Sequence, residues 1–190
     1  MCILRGDDMY FSGRLTGIFR TVCILLLTFV VFGLLFSAGD AESASVGSRK
    51  KIIAVIISTR WHSLDALDVR DLKLIFLGKK GSIGNVVVKP INRRRGMRVR
   101  KAFDRLVMGM TERHLREYWI AEQLKGGARP PLEFGLVSAL VNAVSEKVGA
   151  ISYVDLDELQ PGDRERVKII KIIKGGKEFG VGDDRYPLVY

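Results

Sequence analysis

Apolar residues are distributed along this 190-residue chain in two distinct ways. From Thr21 to Phe36 they run without a charge, TVCILLLTFVVFGLLF, whereas beyond residue 50 they recur at the periods of strands and helices. Lys51–Ser58 carries β-branched residues on both faces, which predicts a strand covered on two sides, as in an α/β sheet. Asp68 is placed to cap a helix on which Val69, Leu72, Ile75 and Phe76 share a face, and Gly78 is placed to end it. Val86–Ile91 predicts a second strand, with Pro90 favouring an edge or the strand's end. Val99, Ala102, Phe103, Leu106, Val107 and Met110 form an apolar stripe at helical spacing. Thr111 can cap a further helix bearing Leu115, Tyr118 and Trp119, which the segment Gly126–Pro131 breaks. Leu136, Val137, Leu140, Val141, Val144 and Val148 stripe a third helix that ends at Gly149. Ala150–Val154 and Val167–Ile173 are the remaining strand candidates, and 175–190, rich in glycine and charge, reads as an irregular tail. Strands alternating with helices predict one α/β domain over 51–174. Three successive helices between residues 97 and 148 set it apart from a plain βαβ repeat.

The N-terminal apolar run has a different logic. Arg5, Arg14 and Arg20 precede it and the small or polar SAGDAESAS follows, the layout of a secretory signal peptide over 1–41. Ala41 with Gly39, or Gly39 with Ser37, offers a cleavage pair. The competing reading is an uncleaved signal anchor, because Thr21–Gly39 approaches the roughly 18–20 residues that span a bilayer as a helix. Either way the remainder is expected to be exported, to the periplasm or anchored at the inner membrane, with 42–50 as a linker. A lipoprotein is disfavoured, since Cys23 lies inside the apolar run behind Arg20-Thr21-Val22. Asp7 and Asp8 sit badly in a basic flank, and translation starting at Met9 would remove them.

Cysteine and charge then narrow the chemistry. Cys2 and Cys23 both fall in the N-terminal segment, so the body forms no disulfide and no thiolate metal site. Neither His62 nor His114 has a second histidine at metal-ligand spacing. Of the net charge of +10, Arg93, Arg94, Arg95, Arg98, Arg100 and Lys101 gather at one strand–helix junction with Gly96 at its turn. Free backbone N–H groups and the positive end of the helix dipole converge on such a junction, making it a candidate anion site. The alternative is a solvated basic face, or one attracted to anionic headgroups. Nucleic acid is disfavoured, since few aromatics are interleaved with the arginines to stack bases. Ser58-Thr59 lies near His62, but nothing supplies a nucleophile elbow or an orienting acid, so no enzyme is indicated. Gly78-Lys79-Lys80-Gly81-Ser82 lacks the full phosphate-loop pattern and follows a helix.

One stretch resembles a known family. Leu67-Asp68-Val69-Arg70-Asp71-Leu72-Lys73-Leu74-Ile75-Phe76-Leu77-Gly78-Lys79 is similar to the L-s-x-x-e-L-x-x-I-F-x-G-k segment of phosphate-type periplasmic solute-binding proteins of ABC transporters. The likeness continues through Val88-Lys89-Pro90-Ile91-Asn92-Arg93, Gly96…Arg100-Lys101-Ala102-Phe103 and Tyr118-Trp119. It goes on through Gly127…Pro130-Pro131 and Gly149-Ala150-Ile151-Ser152-Tyr153-Val154, covering about residues 52–155. The resemblance implies a type II periplasmic-binding-protein fold, reduced to one lobe or a minimal version of two, that holds a phosphate-like oxyanion without a cofactor. It also implies an ABC permease or another envelope partner. Carried onto this chain, the expected ligand residues are Ser58, Thr59, Arg93, Arg94, Arg95, Gly96, Met97, Arg98 and Arg100. Met97 and Val99 stand where the family has hydroxyl residues, and each lost donor leaves a ligand acceptor underpaired at roughly 1–3 kcal/mol. Ser152 likewise replaces the family's glycine. The alternative is an envelope interaction module whose ligand site is lost and whose basic face meets a partner.

Overall fold

The computed structural model describes residues 50–190. The signal or anchor segment, the start at Met9, both cysteines and the linker up to residue 49 lie outside the described residues. No helix among those described is long and apolar enough to cross a membrane.

Ile53–Ser58 forms strand β1, buried along its whole length. Its alternation feeds two cores: Ile53, Val55 and Ile57 enter one cluster, Ala54 and Ile56 the other. Ala66–Asp68 is β2, which leads directly into helix α1, Val69–Phe76. Asp68 caps it as predicted, its Oδ1 accepting from the Arg70 N–H at 2.7 Å, while Leu72, Ile75 and Phe76 face the first core. The predicted strand 86–91 is broken: a hairpin of β3 (Ser82–Ile83) and β4 (Val86–Val87) ends before β5 (Lys89–Arg93) begins.

Helix α2, Arg98–Phe103, widens into a π turn over Asp104–Met108. The extra residue shifts the predicted stripe by one position, so Val107 and Met108 are buried and Leu106 is 40% exposed. Thr111 caps α3, Glu112–Leu124, by accepting from the His114 N–H. β6 (Leu132–Phe134), α4 (Val137–Ser145), β7 (Ala150–Asp155) and a 3₁₀ turn at Leu156–Glu158 follow. Then come α5 (Pro161–Arg166), β8 (Val167–Ile169), β9 (Lys171–Lys174) and β10 (Lys177–Phe179).

The main sheet has the order β6-β5-β7-β1-β8. β5 runs parallel to both β6 and β7, whereas β1 is antiparallel to β7 and β8. Pro90 is accommodated inside this sheet because pairing with β6 starts only at Ile91, so its missing N–H leaves no bond unmade. On one face Phe103 stacks on Tyr153 at 3.7 Å and meets Phe76 edge-on at 4.8 Å. On the other, Leu140, Val141 and Val144 of α4 pack against Ile56, Ile91 and Val154.

Two expectations need correction. The apolar run 167–173 is not one strand: Ile170 donates to the Val55 carbonyl, but Lys171 donates to Asp65 as the chain crosses to a second sheet, β10-β9-β2. Nor is 175–190 irregular throughout. It contains β10, buries Tyr186 and Leu188, and pairs Val189 with Ile52 beside the start of β1. Those two apolar side chains fill the core next to Ile53, whose carbonyl accepts from the Tyr186 hydroxyl at 2.9 Å.

Candidate functional site

Because β5, β6 and β7 are parallel, their C-terminal ends at Arg93, Phe134 and Asp155 share one edge of the sheet. The basic junction 93–100 lies on that edge. β1 runs the other way, so its last residue, Ser58, is at the opposite edge, roughly 13–16 Å from the level of Arg93 along the strands. Ser58 is fully buried there, its hydroxyl donating to the Ser145 carbonyl and accepting from the Arg60 N–H, and Thr59 is exposed beside it. Antiparallel pairing of β1 therefore separates Ser58 and Thr59 from the other expected ligand residues.

The remaining seven are neighbours along the chain, yet they face in different directions. Arg93 is 1% exposed and its Nη2 donates to Glu158 Oε2 at 2.9 Å, in the turn after β7. Its Nε and Nη1 are buried without a hydrogen-bond partner. Arg94 is exposed and lays its guanidinium across Gly135, where a Cβ would come within 3.1 Å of it. Arg95 donates from Nε to Glu133 Oε1 at 3.1 Å and, more weakly, from its backbone N–H to Glu133 Oε2. Gly96 turns the chain at φ +84° and gives its N–H to Glu112 Oε1 at 2.7 Å. Met97 occupies the cap position of α2 and supplies no side-chain hydrogen bond, as the missing hydroxyl implies; Arg98 is exposed.

Arg100 is held most firmly. Its Nε donates to both Asp104 carboxylate oxygens, at 2.9 and 2.8 Å, and its Nη1 reaches the Arg93 carbonyl at 3.0 Å. Burial pushes the Asp104 carboxyl up, against the opposing pull of the Arg100 guanidinium. Nearby, burial also raises the Tyr153 hydroxyl, which donates to Asn92 Oδ1.

The donors at the head of α2 thus already hold carboxylates, and these come from the chain itself. The cavity enclosed by Asn92, Arg95, Arg100, Asp104, Glu112 and Glu133 measures about 10 Å³, about the room one water needs. A larger anion fits only where Glu112 or Glu133 swings away. Of the four resident carboxylates, only Asp104, four residues after Arg100 on one helix, carried a sequence signal for its pairing. Glu112, Glu133 and Glu158 arrive from other elements. Among the described residues no cluster of three or more His, Cys, Asp or Glu is arranged to hold a metal ion.

No protein-family model and no curated protein matches the sequence. Among solved structures, the fold is similar to that of an ABC-type phosphate transport receptor from Vibrio cholerae, with a TM-score of 0.56 at 16% identity. That match covers 74% of this chain and 54% of the receptor. PstS from Borrelia burgdorferi gives a TM-score of 0.55 at 12% identity, covering 74% of this chain and 55% of that one. The chain spans about half the length of both. At these identities the likeness is one of fold. It gives the α/β, periplasmic-binding-protein-like class, and the coverage fits a single-lobe version.

Proposed function

We propose that this chain is an exported solute-binding module, one receptor lobe in architecture, that takes a small phosphate-like oxyanion at the C-terminal edge of β5 and β7. The observation that carries the reading is the Gly96 N–H donated to Glu112 Oε1 at 2.7 Å, beside Arg95 on Glu133. A carboxylate is itself an oxyanion, and its seating there marks donors aimed at a common anionic group. Binding is then a displacement: the ligand replaces Glu112, with Gly96, Arg95 and the exposed Arg94 and Arg98 as its contacts. Delivery to an ABC permease follows from the fold likeness and is part of the same proposal.

Calorimetry with phosphate and sulfate on wild type and Glu112→Ala tests it. The wild type is expected to bind weakly, and the variant roughly tenfold more tightly, since a competing charge-assisted hydrogen bond of about 1.5 kcal/mol is gone. Absence of heat and of any thermal shift in both proteins at millimolar anion overturns the proposal, because even a millimolar site stabilises the folded state once ligand exceeds its dissociation constant. One observation favours a second reading, an interaction module with a closed site: Arg100 is locked to Asp104 and Met97 offers no hydroxyl. That reading predicts the negative result, together with partner or anionic-liposome binding that is lost when Arg94 and Arg98 become Ser.

A further inference from the structure

A second concavity lies away from the basic junction, where the sheet leaves β5 uncovered. β6 pairs only with Ile91–Arg93, so the outer side of Lys89 and Pro90 has no strand against it. The gap is a groove of about 470 Å³, inside the roughly 300–1,000 Å³ range of small-molecule sites. Pro90 and Ile91 form its floor, Trp119 of α3 and Ala143 of α4 its walls, and Leu132, 72% exposed, stands at its end. Around this apolar channel are three cations, Lys89, Arg129 and Lys147, and one acid, Glu146. All four are exposed, and none takes part in an ion pair among the described residues.

We propose that this groove binds an amphiphilic anion, an acyl chain of fatty-acid type lying on Pro90, Ile91 and Trp119 with its carboxylate among Lys89, Arg129 and Lys147. Apolar walls release water from a hydrocarbon chain, and unpaired cations at the mouth select a negative head group over a positive one. The contrast with the head of α2 supports this assignment. There every inward-facing cation is matched by a resident carboxylate, whereas the groove's rim keeps an excess of positive charge with nothing of the chain's own to neutralise it.

The full chain contains two tryptophans, Trp61 and Trp119, and bromine quenches indole fluorescence only on contact, so position can be read directly. An ω-brominated dodecanoate is titrated into Trp61→Phe, which leaves Trp119 as the reporter, and into Trp119→Phe, which leaves Trp61. Saturable quenching in the first variant and little in the second is expected. The equivalent brominated dodecyltrimethylammonium should bind roughly tenfold more weakly, as two or three exposed charge contacts supply. In the Trp61→Phe background, reversing Lys89, Arg129 and Lys147 to Glu should remove that preference, and Ala143→Phe should block quenching. Thermal melts check that each variant is folded. Equal quenching by both head groups, quenching unchanged by the charge reversal, or none in the Trp61→Phe chain overturns the proposal.

Discussion

Replacing Asp104 by Asn asks whether the basic cluster at the head of α2 is held in place by the chain itself. The Arg100 and Asp104 side chains are 6% and 3% exposed, and Nε donates to both carboxylate oxygens. Asparagine keeps the shape and one acceptor but removes the charge. The guanidinium then remains buried with the Arg93 carbonyl at 3.0 Å and Glu133 at 3.6 Å as its other partners. Removing one member of a buried pair costs about 3–5 kcal/mol, and the retained acceptor puts Asp104→Asn at the low end, about 3 kcal/mol. In a domain of this size that lowers the melting temperature by roughly 10 °C. Urea denaturation measures it directly, as a lower midpoint at unchanged slope. The double variant Arg100→Met/Asp104→Leu removes both charges and should recover most of the loss, since well-packed apolar residues replace a buried pair at little net cost. A loss under about 1 kcal/mol in the single variant, or a double variant no more stable than the single, refutes the reasoning.

Two further outcomes test how neighbouring elements are joined. Gly149 has φ +89° and a Cβ there would lie 2.1 Å from the Val87 carbonyl oxygen, so Gly149→Ala should cost at least about 3 kcal/mol and broaden the amide resonances of β4 and β7. Asp68→Ala should cost about 1 kcal/mol at neutral pH, the usual weight of a lost helix cap. The Arg70 N–H donated to Asp68 holds that carboxyl below its ordinary range, so the stabilisation is present above roughly pH 4 and fades as pH falls through the depressed value. Urea midpoints at neutral and strongly acidic pH should therefore show the gap between wild type and Asp68→Ala narrowing on acidification, and a gap that stays constant counts against the cap.

What the sequence makes legible, and what it hides, follows from the range of each interaction. The caps at Asp68 and Thr111, the turn at Gly78 and the two-sided burial of β1 are local, and each appears where its residue types predict. The run Val167–Ile173 misleads because periodicity measures apolar alternation and is blind to which sheet receives it; the chain changes partners at Ile170 without changing its pattern. Tyr186 and Leu188 lie in a short apolar end, YPLVY, behind a stretch rich in glycine and charge, and only the space beside Ile53 makes them core. The site divides in the same way. The gathering of arginines is written in neighbouring residues, whereas the carboxylates on Arg95 and Arg93 come from β6 and the turn after β7, 38 and 65 residues away, and the one on the Gly96 N–H comes from α3, 16 residues away. Sequence alone therefore overstates the free positive charge at this junction, and by the same reasoning it gives no hint of the groove, whose excess cations come from β5, the segment before β6 and the turn after α4. Of the charge that is dense along the chain, Arg93, Arg95 and Arg100 are paired in space, while Arg94, Arg98 and Lys101 stay exposed without an ion pair among the described residues. Charge that is dispersed along the chain converges unpaired at the groove. For a basic protein of this kind, the unpaired cations are the better guide to where an anion from outside will settle, because only they have no internal competitor to displace.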